Sequence, residues 1–324
     1  MMMKYLILYC VVTSTICLYG MEKIDNCLSN KTTFNKPTFN EKLENQIKKN
    51  NSILCVALDP DSTKTPDSFT KDIDQKNKLE KINEKIYRFL QDIINLTHEV
   101  TCCYKLQEAF YKRYPNLMEN VIKYIKDTCP GKIIIVDCKV GDIENTMNAY
   151  VDYYFNKLEV DAITVNPYMG QDVLQPFIND PKKTGIVVVQ SSNPGATEIQ
   201  ETTVLGNQHS SLPLWNKIFE YVITHNTHKN LIAVVSGNLN KEAYQEIREK
   251  AGNDFFVLVP GVGAQGADPE YFIPYLKNNK NDGIIVVVGR GILYPYKKED
   301  PDWKKKVAEC AVLFQEKFND IRHK

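Results

Sequence analysis

The sequence predicts an α/β fold, a single (β/α)8 TIM barrel with a short N-terminal extension, and three observations carry that prediction. Apolar runs of strand length recur from residue 53 to residue 289. Amphipathic segments of helix length separate them, and no low-complexity tract, repeat or linker divides the series. The runs are apolar throughout rather than alternating, as expected of parallel strands covered on both faces. A doubly wound open sheet is the alternative arrangement of the same elements.

Residues 1–20, MMMKYLILYCVVTSTICLYG, form an apolar leader interrupted by Thr13 and Ser14. It resembles a signal peptide or anchor, although it is short for a spanning helix, and a second reading starts the protein at Met21. Residues 21–50 are a polar extension rich in Lys and Asn, ending in an expected helix over Asn40–Lys49. The barrel domain is expected over 51–324. Its strands are expected at Ile53–Leu58, Thr101–Lys105, Lys132–Cys138, Ala162–Asn166, Gly185–Gln190, Leu231–Ser236, Phe256–Pro260 and Gly283–Gly289. In the first intervening helix Leu79, Ile82, Ile86, Phe89, Leu90, Ile93 and Ile94 recur at helical spacing. Further helices are expected at Leu117–Asp127, Ile143–Phe155, Gln171–Ile178, Leu214–Thr224, Lys241–Ala251, Tyr271–Leu276 and Asp302–Phe318. The stretch 197–212, with His209, is expected as a long loop after strand five, either a lid or a plain solvated insertion.

Forty basic residues balance forty acidic ones, so no overall field recruits nucleic acid or an anionic membrane. An anionic ligand must therefore be held by a local site. The nine cysteines are an odd number without zinc-like spacing, which favours reduced thiols over a disulfide framework. Alternation along the third strand turns Cys138 away from its charged neighbours and makes it a packing residue.

In a barrel of this kind the chemistry sits where strands end at their C-termini. The third strand ends in VDCKVGDIENT, which sets Lys139 between Asp137 and Asp142. Asp137 and Lys139 are two apart, so both point into the barrel mouth, within reach of Lys105 on the neighbouring strand. Opposite charges about 4 Å apart attract by ~4 kcal/mol at an effective dielectric of ~20, so such an array can stay ionised together. An ion-pair network that only closes the barrel top is the structural alternative. The seventh and eighth strands end in PGVGAQGAD and Gly289-Arg290. Gly261, Gly263 and Gly266 let a ligand approach the backbone, Gln265 supplies an amide, and Arg290 a guanidinium fork, which suits a phosphate.

DCKVGDIENT matches the D-x-K-x-x-D-x-x-x-T motif of orotidine 5′-phosphate decarboxylases, and the other strand ends fit in family order. They are ALDPD at 57–61, KLQEAF at 105–110, VNPYMG at 165–170, SSNPGA at 191–196, VPGVGAQG at 259–266 and GR at 289–290. The chain thus resembles a stand-alone orotidine 5′-phosphate decarboxylase of the branch with Lys-x-Gln and Ser-Asn-Pro-Gly-Ala motifs. The resemblance implies conversion of orotidine 5′-monophosphate to uridine 5′-monophosphate, without cofactor or metal. It implies that Lys139 protonates the pyrimidine C6, that Asp137 faces the substrate carboxylate, and that Lys105 and Asp142 complete the charged array. Asp59 and Lys105 would bond ribose hydroxyls, Gln107 would lie beside them, and Ser192 would contact the pyrimidine edge. Pro260, Gln265, Gly289 and Arg290 would line the phosphate end. The resemblance further implies a homodimer in which Asp142 and Thr146 complete the neighbour's site. It also implies a cytoplasmic enzyme, despite the signal-like segment 1–20, and allows association with an orotate phosphoribosyltransferase on another chain. The rival readings are a Mg-dependent sugar-phosphate decarboxylase or aldolase of the same barrel family, and a non-catalytic phosphate-ligand binding protein.

Overall fold

The computed structural model describes residues 37–324, apart from 71–76, 207–210 and 264–265. The leader, most of the polar extension, His209 and Gln265 lie outside the described residues. Eight parallel strands close into a barrel: β1 (Leu54–Ala57), β2 (Cys103–Gln107), β3 (Ile133–Val140), β4 (Ala162–Val165), β5 (Thr184–Val188), β8 (Leu231–Val234), β9 (Val257–Val259) and β10 (Ile284–Val288). β1 pairs with both β10 and β2, which closes the ring, and the open-sheet alternative is set aside. The strands are almost wholly buried because side chains fill the barrel inside and helices cover it outside.

Each expected helix forms, and for some of them a side-chain cap explains where the helix starts. Helix Lys78–Thr97 begins at Asn77, whose side chain accepts from the Glu80 N–H while Glu80 reaches back, and it buries Ile86, Phe89, Leu90, Ile93 and Ile94. Helix Phe39–Asn50 starts with the same device at Thr38. It turns Phe39, Leu43 and Ile47 into the core, while Lys42 pairs with Asp161 at 2.8 Å and Asn50 donates to the His98 and Glu99 carbonyls. Those partners precede β2 and β4, so this helix covers the end of the barrel opposite the strand C-termini. The segment after β3 forms an α-helix, Glu144–Val151, that widens into a π-helical turn over Asp152–Lys157.

The stretch after β5 departs from a plain loop. It holds a short helix, Ala196–Gln200, and a two-stranded antiparallel hairpin of β6 (Thr203–Leu205) and β7 (Ser211–Pro213). Cys55, Cys102, Cys103, Cys129, Cys138 and Cys310 are free thiols. Cys138 is half-buried against the Thr164 carbonyl, a packing position, and burial pushes its thiol up to about 11. Among the described residues no helix is long and apolar enough to cross a membrane.

Candidate active site

A cavity of about 310 Å³ opens at the C-terminal ends of the strands. It gathers Asp59 after β1, Lys105 and Gln107 from β2, Asp137 and Lys139 from β3, and Ser192 after β5. Pro260 and Gly261 after β9, and Gly289 and Arg290 after β10, complete the rim. Val188, Val234, Leu258 and Val287 give it an apolar wall.

Asp137 is the centre of its floor. The carboxylate is 8% exposed, and its Oδ2 accepts from Lys105 Nζ at 2.9 Å while Oδ1 accepts from Lys139 Nζ at 2.5 Å. Burial by itself would raise its pKa, but the two ammonium groups overcome that and hold the carboxyl well below the usual range. Lys105 is also buried, which by itself would lower its pKa. Asp59 and Asp137 reverse the effect and hold it above the ordinary lysine value. The side chain of Lys139 is 47% exposed and reaches the cavity from the rim.

Asp137 and Lys139 do not meet through regular strand alternation. The pairing of β3 with β4 shifts between Val136 and Val140, and Lys139 has φ of 48°, a left-handed conformation unusual for a lysine. Thr164 on β4 holds this bulge. Its hydroxyl accepts from the Lys139 N–H at 2.9 Å and donates to Asp137 Oδ1 at 2.9 Å. Sequence reasoning missed Thr164. The available signal was a single hydroxyl in the otherwise apolar strand AITV, one strand over from the charged cluster.

The other expected residues divide by position. Asp59 Oδ1 accepts from the Gln107 N–H at 3.3 Å, and the Gln107 side chain caps the turn that follows through the Ala109 N–H. On the loop after β9, Gly261 and Gly263 have φ of 101° and 81°, backbone that glycine adopts without strain. Asp142 and Thr146 are not among the residues lining the cavity. Asp142 Oδ1 accepts from the Ile143 N–H at 2.7 Å, and Thr146 lines a separate surface cleft with Glu108, Lys112 and Tyr150. Among the described residues no group of three or more His, Cys, Asp or Glu side chains is arranged to hold a metal ion.

Comparison with known proteins agrees with this geometry. Residues 52–302 match the model of the "Orotidine 5'-phosphate decarboxylase / HUMPS family". The chain is 36% identical over 288 residues to an orotidine 5′-phosphate decarboxylase of Cellvibrio japonicus, covering 88% of this chain and 99% of that one. It is 32% identical to the enzyme of the same name from Cupriavidus metallidurans, again with 88% and 99% covered. Among solved structures, the OMP decarboxylase of Leishmania donovani superposes with a TM-score of 0.70 at 26% identity, over 89% of this chain and all of that one. The shared barrel, the ordered motifs at its strand ends and the matched length lead to one assignment: the chain belongs to the orotidine 5′-phosphate decarboxylase family and is a carboxy-lyase.

Proposed function

We propose that this protein decarboxylates orotidine 5′-monophosphate to uridine 5′-monophosphate, with Lys139 as the proton donor. The observation that carries the reading is the buried Asp137 carboxylate held between the Lys105 and Lys139 ammonium groups at the cavity floor. The C6–carboxylate bond breaks with its electron pair left on C6, in an in-plane orbital that the ring π system cannot delocalise. An ammonium fixed beside C6 stabilises that charge electrostatically and then donates its proton, while carbon dioxide departs. Solvent restores the proton to Lys139. Asp137 faces the departing carboxylate, and its own ionised state is secured by the two lysines. The step requires no cofactor or metal, so turnover is expected to persist in EDTA.

Binding divides along the cavity. Asp59, Lys105 and Gln107 take the ribose side, and Ser192 takes the pyrimidine edge. Pro260, Gln265, Gly289 and Arg290 take the phosphate. Phosphate contacts remote from C6 supply binding energy that closes the surrounding loops over the reacting centre. Asp142 and Thr146 serve the site of a second copy, so the working unit is a homodimer. The exposed apolar residues Phe110, Ile143, Tyr168 and Met169 support that assembly, since they follow β2, β3 and β4 at the same end of the barrel.

The test is spectrophotometric loss of orotidine 5′-monophosphate with purified residues 21–324. Turnover is expected, and its absence at substrate saturation sinks the assignment. Lys139→Ala is expected to lower kcat by at least ~10³-fold. Arg290→Ala is expected to act mainly on KM, by roughly 10–100-fold, through the lost charge-assisted contact to phosphate.

A further inference from the structure

We propose that Gln200, outside the cavity, is a positioning residue that sets the hydrogen-bonding direction of the Ser191–Asn193 loop at the nucleobase end. The inference rests on the decarboxylase reading, which places the pyrimidine edge against this loop. Gln200 ends the short helix Ala196–Gln200 and grips Ser191 with both ends of its amide. Its Oε1 accepts from the Ser191 N–H at 2.8 Å, and its Nε2 donates to Ser191 Oγ at 2.8 Å. Ser191 Oγ in turn donates to Asn193 Oδ1 at 2.7 Å. Ser191, Ser192 and Asn193 all line the cavity, whereas Gln200 does not.

The directions in this chain follow from chemistry. A backbone N–H can only donate, so the Gln200 atom facing it is the carbonyl oxygen, and the amide nitrogen must face Ser191 Oγ. With that lone pair occupied by an N–H donor, the Ser191 hydroxyl spends its own hydrogen on Asn193. The atom of Asn193 that receives it is the oxygen, so Nδ2 is the end left to donate. A uracil-type pyrimidine presents two carbonyl acceptors flanking one N3–H at its edge, and a fixed N–H donor is the group complementary to either carbonyl. Gln200 thus decides, two hydrogen bonds away, whether the cavity wall offers a donor or an acceptor.

Gln200→Glu separates this role from plain support of the loop. Glutamate keeps the side-chain volume and still accepts from the Ser191 N–H, so a merely structural role predicts near-wild-type kinetics. It has no N–H, so the Ser191 hydroxyl turns to donate to the new carboxylate, Asn193 Oδ1 loses its donor and the amide is free to rotate. The expected result is a loss of about tenfold in kcat/KM for Gln200→Glu, close to that of Gln200→Ala, mainly through KM. Combining Gln200→Glu with Ser191→Ala is expected to cost no more than Ser191→Ala alone, because one acts through the other. Wild-type kcat/KM for Gln200→Glu, or full additivity of the two substitutions, overturns the proposal. Hydrogen exchange of the Ser191 amide without substrate provides a readout independent of the reaction. Protection is expected to persist in Gln200→Glu and to fall in Gln200→Ala, and unchanged protection in Gln200→Ala removes the grip on which the inference stands. If the wild-type chain does not turn over orotidine 5′-monophosphate, the decarboxylase reading fails. The exchange experiment then still decides whether Gln200 holds the loop, and the assignment to nucleobase recognition falls with the reading.

Discussion

Thr164 carries more of the site's geometry than its size suggests. Its hydroxyl accepts the Lys139 N–H, at a residue whose φ of 48° is costly for a side chain with a Cβ. The same hydroxyl occupies one lone pair of Asp137 Oδ1 and so fixes the carboxylate between the two lysines. Thr164→Val keeps the shape and removes both bonds. It leaves the part-buried Lys139 N–H without this acceptor, which costs up to about 1–3 kcal/mol, and frees the backbone that aims Lys139. Urea unfolding is expected to show that loss of stability, and kcat is expected to fall by roughly 10–100-fold, since small misplacements of a reacting group are expensive. Wild-type kcat in Thr164→Val would show that the bulge holds without the hydroxyl.

At the level of elements, the bulge hands the chain from β3 to the helix Glu144–Val151, and Gly141 is the crossing point. A Cβ there would overlap the carbonyl oxygen of Asn166, a backbone atom that cannot rotate away. Gly141→Ala must therefore push the Asp142–Thr146 segment off the end of β4. It is expected to cost about 1–3 kcal/mol and to reduce turnover more than it reduces secondary structure seen by circular dichroism. Equal losses in both would mean that the segment is only structural. The same elements show what the sequence could and could not disclose. The barrel was legible because each strand is a continuous apolar run and each helix an amphipathic one, so both periods survive in the letters. The cavity residues were legible because Asp59, Lys105, Asp137 and Arg290 are charges placed at the ends of such runs. The bulge was not legible: VDCKV reads as ordinary alternation, and only pairing with the adjacent strand β4 reveals the two extra residues between Val136 and Val140. The hairpin β6–β7 was missed for a related reason, since its short, exposed strands carry little apolar signal. Gln200 was invisible because its partner lies nine residues away across a turn, at no spacing that a periodic pattern marks.

On the scale of the whole molecule, the distribution of the expected site residues is itself informative. Lys105, Asp137 and Lys139 converge on one cavity, while Asp142 and Thr146, from the same ten-residue motif, do not line it. The proposed division of the motif between two sites requires two copies, each completing the other. Two inactive chains with defects in opposite halves should then make one intact site when mixed. Lys139→Ala damages the half that lines its own cavity, and Asp142→Ala the half proposed to cross. In an equimolar mixture with free exchange, half of the dimers are hybrids, and each hybrid has one site with both lesions and one with neither. Activity is therefore expected to recover to about a quarter of wild-type per chain, from a baseline near zero for each variant alone. Dilution of the wild-type enzyme below its dimer dissociation constant should lower specific activity in parallel with the loss of dimer seen by light scattering, as mass action demands. Failure of the mixture to recover, with subunit exchange verified by mass-labelled chains, would confine Asp142 to its own chain. The monomer would then have to be complete as it stands.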